Sequence, residues 1–304
     1  MLGMPAVPEL PGHEIDCGKP RDKGISESRS GTGRANRWTK VLSVLTAAAL
    51  TLDTSAIHAA EGLIKHHHTD LFEVCCPYDS GFSRAVVAEG GVAQRISFWN
   101  GLDMATRSGT QRVLDEAKLK RPRHVWFSPP CDPWSAYQAI NQPTPEQQEK
   151  LIEKRRRGLR ILKNIAWLVP ELRKLGCEIH LEQPETAASW KTWEAQETLK
   201  TLRHRAVTHG CAWGLKDSQG YVVKKSWAIA TTCWELYQLL DRKRCDGRHV
   251  HRPLQVSATT ASAAYPTQFN KAIAKRMMNK PAADIWEADD IEVGEQMQSV
   301  NEGK

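Results

Sequence analysis

No apolar run in this 304-residue chain is long enough to cross a bilayer. The best candidate, residues 41–52, is interrupted by Ser and Thr and falls short of the roughly 20 residues a spanning helix needs. Membrane insertion is therefore not expected. Tyr and Phe are scarce, five of each against eleven Trp, so the aromatic surface is mostly indole. That bias suits a Trp-rich core, the commoner use of buried Trp, or a set of platforms for stacking bases. Eight cysteines spread over this length make no dense disulfide framework, so free thiols in a reducing, intracellular compartment are expected. Strong charge imbalance is missing too. With 42 Lys and Arg against 35 Asp and Glu, the net +7 permits a polyanionic partner without requiring one.

A hydrophobic share of 40% is low for a wholly globular chain and points to disordered ends. Residues 1–62 read as a leader. Up to Arg37 they are rich in Gly, Pro, Ser and charge without a sustained period. The apolar stretch behind Arg34, Arg37 and Lys40 mimics a secretory signal, but it begins only at residue 41, so a short apolar helix is expected. Three adjacent histidines, His66 to His68, cannot all face one ion from a strand or helix and read as a solvated lead-in. One domain over 63–278 and an acidic, disordered tail over 279–304 complete the division.

The chain is organised around His124-Val125-Trp126-Phe127-Ser128-Pro129-Pro130-Cys131-Asp132-Pro133-Trp134-Ser135. A short run of strand formers ends abruptly in two prolines that cannot extend a ladder. Cys131 is thereby presented where the strand of an open α/β sheet would end, and ligands bind at such ends. Taken alone, a cysteine here reads first as inert core filler and only second as a positioned nucleophile.

Around this stretch, apolar strand segments alternate with helical periodicity. Strands are expected near 71–75, 93–98, 124–128 and 177–182, and the crossover helix near 110–119 carries Val113, Leu114 and Ala117 at helical spacing. A long helix over 146–175 follows, its stripe running from Leu151 to Leu172. The basic run Lys154-Arg155-Arg156-Arg157 lies off that stripe and reads as a solvated face or a set of phosphate contacts. Strands alternating with helices predict an α/β fold with a doubly wound, mostly parallel sheet. Glu182, in Leu181-Glu182-Gln183-Pro184, stands at a strand end and is open to both a surface and a site reading. Asp103 suits a helix N-cap or turn as well as a ligand contact. Late in the chain, Cys233, Cys245, His249 and His251 invite zinc, but Cys-x3-His-x-His fits no common finger and no metal site is assigned.

The Pro-Pro-Cys loop, followed by Trp134 and Ser135, resembles that of the DNA cytosine-C5 methyltransferases. The order of elements from about Leu71 to about His251 is similar to their compact phage-type members. The family's strand ending Glu-Asn-Pro has its counterpart in Glu182-Gln183-Pro184, and its Cys-aromatic-Gly turn in Cys211 to Gly214, followed here by Lys224, Lys225 and Trp227. Glu73 matches the acid of the opening Glu-Leu-Phe-Ala-Gly, while Pro77 and Asp79 stand where its glycines belong. The resemblance implies a sheet of the S-adenosylmethionine-dependent methyltransferase type, with that cofactor held by Glu73, Asn100 and Asp103. It also implies DNA as partner to a monomer, with methylation of cytosine C5 through a Cys131 adduct assisted by Glu182. Three rivals stand beside it. Ser128-Pro129-Pro130 is similar to the loop of amino-methyltransferases acting on cytosine N4 or adenine N6, which place an aromatic where Cys131 stands. The missing glycines suit a catalytically degraded methyltransferase fold kept for nucleic-acid or protein binding. The late Cys and His residues suit a zinc-dependent binding module.

Overall fold

The computed structural model describes residues 69–135, 138, 144–252 and 264–279. The leader over 1–62 with its apolar segment, the three histidines and the tail beyond Asn279 lie outside these residues. Among the described residues no helix is long and apolar enough to cross a membrane.

Six strands form one sheet: β1 (Thr69–Val74), β2 (Ala93–Ile96), β3 (Pro122–Phe127), β4 (Glu178–Pro184), β5 (His204–His209) and β6 (Ser226–Thr231). Their order across the sheet is β2-β1-β3-β4-β6-β5. β1 to β4 run parallel, and β6 is the reversed strand, antiparallel to both β4 and β5. The expected doubly wound, mostly parallel α/β sheet is what the structure shows. Every residue of β3 is buried, because helices cover both faces and leave no polar side to alternate with.

Successive strand residues supply the two cores in turn. Val125 and Phe127 enter one with Phe72 and Leu181, while Trp126 enters the other with Leu71 and Ile229. The first core is closed by α2 (Arg107–Lys120) and α3 (Pro145–Lys174) through Val113, Leu114, Leu162, Ile165 and Leu172, and α4 (Trp193–Leu199) packs on α3. The second is closed by α1 (Gly81–Ala88), α5 (Trp234–Asp241) and α6 (Thr267–Met278) through Phe82, Val86, Leu236 and Ile273. Burial of apolar surface at about 25 cal/mol per Å2 drives both layers together.

The long helix begins where Thr144 accepts from the Gln147 amide and Gln147 returns the contact, a reciprocal capping box. Its chain turns away at Gly176, whose φ of 78° only glycine adopts without strain. β2 is shorter than the expected 93–98. Asn100 Oδ1 accepts from the Ser97 amide at 3.0 Å, bending the chain into a 3-10 turn over Phe98–Asn100 that Gly101 closes. Local side-chain competition for the backbone ends the strand there.

Candidate active site

β3, β4 and β1 end side by side, so the loops that follow them share one edge of the sheet. After β3, the chain leaves through Pro129 and Pro130 into the 3-10 turn Asp132–Trp134, and Cys131 caps that turn. The loop is held from below and from the side. Trp134 is buried against α3 at Gly158, where an added Cβ would meet the indole at 2.9 Å. Gln183, at the end of β4, donates to the Pro129 carbonyl and accepts from Ser189 Oγ at 3.1 Å. The prolines and these ties fix the thiol relative to β4.

The basic run of α3 does not present an open row of cations. Lys154 donates to Asp132 Oδ2 at 2.8 Å, Arg155 to the Pro133 carbonyl at 3.1 Å and Arg157 to Asp103 Oδ1 at 2.8 Å, while Arg156 pairs with Glu153. Three of the four therefore tie the helix to the loops after β3 and β2. The Lys154–Asp132 pair is exposed and the Arg157–Asp103 pair half-buried, so the first is worth little in stability; their shared effect is on loop position.

Cys131 lies close enough to Glu182 for the carboxylate to act on the thiol. Burial, and behind it the Glu182 carboxylate, raises the Cys131 thiol above its ordinary value, while Lys225 pulls it down. Glu182 is itself buried, which raises its carboxyl, with the Tyr265 hydroxyl, Lys225 and Ser128 opposing. Tyr265 OH lies 2.9 Å from Glu182 Oε2 and 3.0 Å from Ser128 Oγ, which accepts from Trp126 Nε1 at 2.9 Å. Burial holds the Tyr265 phenol well above its ordinary value, so it stays a donor. The site thus pairs a thiol with a carboxyl group that burial favours in its neutral, proton-donating form.

The remaining candidate residues are placed differently. Glu73 is buried beneath α1, with its oxygens accepting from Ser80 Oγ at 2.6 Å, the Ser83 amide at 3.1 Å and the Ser83 hydroxyl. It acts as an N-terminal cap for that helix. Asn100 spends both ends of its amide on Ser97 and the Arg95 carbonyl. Asp103 joins its Arg157 pair to a bond from the Ala105 amide at 2.9 Å. Arg157 also stands over the Phe98 ring, and Phe98 and Trp99 leave about two thirds of their surface exposed, 61% and 64%. Cys75, at the end of β1, adopts a left-handed φ of 63°, a conformation costly for a residue with a Cβ. Burial pushes its thiol up to about 12, so it is no nucleophile.

Tyr265 escaped sequence reasoning altogether, since it belongs to no motif and lies far from Glu182 along the chain. Phe98 also went unremarked, although an exposed aromatic pair directly after a strand end was a usable signal. In the late Cys and His group the structure exchanges one member. Cys233 is buried with its Sγ toward Glu235, and Cys211 lies beside Cys245, His249 and His251 instead.

No family model and no curated protein matches the sequence. Among solved structures the chain is similar to the S. pombe Dnmt2 methyltransferase, with 14% identity and a TM-score of 0.33. The match covers 59% of this chain and 57% of that one, so the chain spans little more than half of that protein's length.

Proposed function

We propose that Cys131 and Glu182, at the ends of β3 and β4, form a covalent adduct with cytosine in DNA and serve its methylation at C5. The single observation that carries this reading is the pairing of Cys131 with a buried, neutral-leaning Glu182 at the carboxyl ends of adjacent parallel strands. A thiolate can add to C6 of the ring while a carboxylic acid at N3 takes up the charge pushed into the base.

The coupling between the two groups favours this division of labour. An ionised Glu182 disfavours ionisation of Cys131, so the pair is read as one titrating unit. With Glu182 protonated, the Cys131 proton leaves to solvent and the thiolate forms facing the Lys225 cation, without a second negative charge beside it. The thiolate then forms the sulfur–C6 bond, the C5–C6 double bond opens, and Glu182 delivers its proton to N3. Tyr265, donating to the far side of the carboxyl, keeps it oriented through this exchange. Once C5 has gained its new substituent, loss of the C5 proton to solvent and breakage of the sulfur–C6 bond would restore the ring and the thiolate, with the N3 proton returning to Glu182. The target base must leave the duplex to reach so recessed a group.

S-adenosylmethionine fits the edge formed by β1 and β2 on its adenosine side. Phe98 and Trp99 offer exposed faces for the purine, and Asp103 offers a carboxylate for its amino group. When bound, the cofactor supplies an electrophilic methyl to C5. Glu73 and Asn100, read from the sequence as cofactor contacts, also hold the start of α1 and the turn after β2.

A second reading, a methyltransferase-like fold retained for nucleic-acid or protein binding, is favoured by a separate observation. Cys75 and Pro77 occupy the turn after β1, and the amides of Phe82, Ser83 and Arg84 at the start of α1 are all taken by Ser80 and Glu73. Transfer of labelled methyl from S-adenosylmethionine to DNA by wild type, Cys131→Ser and Glu182→Gln decides between them. The methylation reading expects transfer by wild type, none by the serine variant, and a rate lowered about a hundredfold to ten-thousandfold by the glutamine. Absence of transfer and of cofactor binding in wild type would leave the binding reading.

A further inference from the structure

We infer that Cys211, Cys245, His249 and His251 bind a structural zinc ion that pins an irregular segment of chain to the end of β5. One ligand atom from each residue lies within 4.8 Å of all the others. This inference is independent of any role for Cys131.

The four residues come from two places. Cys211 lies in the 3-10 turn Gly210–Trp213, immediately after β5. The other three lie between α5 and Arg252, where the chain forms neither helix nor sheet strand. Sulfur and nitrogen already stand near the separations a metal imposes. Cys245 Sγ is 3.6 Å from His249 Nε2 and 3.3 Å from His251 Nε2. Tetrahedral zinc, with bonds of about 2.3 Å to sulfur and 2.0 Å to nitrogen, sets these atoms roughly 3.5 Å apart. Two soft thiolates with two imidazoles form a set that selects zinc over magnesium or calcium.

Neighbouring groups support the ligands as metal sites require. Asp246 Oδ1 lies 3.7 Å from His249 Nδ1, the ring nitrogen turned away from Cys245. The Gly247 amide points at Cys245 Sγ from 3.4 Å, and Gly247 has a φ of 75° that favours glycine. A carboxylate behind a histidine and an amide aimed at a thiolate are the outer contacts that orient ligands. Four protein ligands leave no open position, so the ion is structural rather than catalytic. Binding displaces the two thiol protons, and oxidation states do not change.

Such an ion has a definite task here. The irregular segment is tied to β5 by His209 N to the Lys243 carbonyl at 3.0 Å, Thr208 Oγ1 to the same carbonyl at 2.8 Å and Cys245 N to His209 Nδ1 at 2.8 Å, and to the loop before β6 by Arg252 N to the Val222 carbonyl at 3.0 Å. The turn that carries Cys211 also donates from the Gly210 amide to the Lys225 carbonyl at 2.7 Å. Zinc would fix both the segment and the base of the Lys224-Lys225 stretch. Its binding free energy then becomes folding free energy.

The test is the metal content of the full-length chain, purified under reducing conditions without added chelator, together with cobalt substitution. One zinc per chain is expected, as are the intense visible bands of tetrahedral cobalt with sulfur-to-cobalt charge transfer. Cys211→Ser and His251→Ala should each cut retained zinc to below about a tenth of wild type, while Cys233→Ser retains it. Should a ligand variant fail to fold, wild type alone still decides, through its zinc content and cobalt spectrum. Folded wild type that takes up no zinc and gives only the pale spectrum of octahedral cobalt overturns the inference. A Cys211–Cys245 disulfide in folded, metal-free protein does so equally.

Discussion

The Tyr265 hydroxyl donates to Glu182 Oε2 across 2.9 Å, joining residues 83 positions apart in the chain. Glu182 is buried and Tyr265 partly buried, and Tyr265 also bridges to Ser128 on the loop that leads to Cys131. One phenol therefore orients the acid and braces the nucleophile's loop. Tyr265→Phe should raise the Glu182 carboxyl further, since the lost bond favoured its ionised form. It should also destabilise the fold by about 1 kcal/mol, the ordinary net worth of one hydrogen bond. Carboxyl titration by NMR with labelled glutamate checks the first and urea unfolding the second. An unmoved carboxyl would detach Tyr265 from the site.

Glu182 should leave a signature in the pH dependence of stability. Its folded value lies above the ordinary 4.5 because burial disfavours the charge, so folding takes up a proton there. The associated stability is present below 4.5 and is lost as pH rises through the raised folded value. Glutamine cannot ionise. The stability of Glu182→Gln relative to wild type should therefore improve as pH rises through that window and then level off. Urea unfolding at a series of pH values reads this directly, and a difference that does not change with pH would refute the raised carboxyl.

Gly158 makes room for Trp134, and the cost of filling that room can be set against helix propensity. Alanine would gain about 1 kcal/mol inside a helix. Its Cβ would meet the indole at 2.9 to 3.2 Å, and overpacking of this kind costs about 1–3 kcal/mol. Sterics should win by roughly 1 kcal/mol, with the Cys131 loop displaced. Thermal unfolding and the reaction rate of the Cys131 thiol with a small alkylating reagent are the measurements. A stabilised variant would mean that Trp134 does not pack where the structure puts it.

Trp99 separates cofactor binding from folding. Its ring is exposed, so Trp99→Ala should change stability by less than about 0.5 kcal/mol. If the ring stacks on adenine, the lost contact of about 1 kcal/mol should weaken S-adenosylmethionine binding by roughly fivefold. Calorimetry on both proteins measures it. Equal affinities would remove the aromatic pair from the cofactor site.

The sheet was legible because strand and helix periodicity alternate so plainly. β1, β3, β4 and the long helix lie within a few residues of their expected limits, and Gly176 stops that helix as expected. β2 came out short because the Ser97 and Asn100 capping contacts override strand propensity, a competition that only atomic geometry reveals. The nearness of Cys131 to Glu182 followed from two strand ends and needed only that β3 and β4 be neighbours. Glu73 and Asn100 were harder, since a buried acid at a strand end looks the same whether it faces a ligand or caps a helix. Tyr265 and the metal-site membership of Cys211 were out of reach because their partners are distant in sequence; Tyr265 sits in no motif, and Cys211 was read only as part of the turn that ends at Gly214. The basic run of α3 was legible as a face but not as the brace for two loops, because that depends on where Asp132 and Asp103 come to rest.

The adduct chemistry can be observed without any methyl donor. A thiol that adds to C6 and leaves again makes C5 transiently basic, so hydrogen at C5 exchanges with solvent. Release of tritium from C5-labelled cytosine in DNA, single-stranded and duplex, is therefore the most direct measurement of Cys131 and Glu182 acting together. The account predicts release by wild type, none by Cys131→Ser, and a rate lowered about a hundredfold or more by Glu182→Gln. Wild-type protein that releases no tritium from either form of DNA, with or without S-adenosylmethionine, would contradict it.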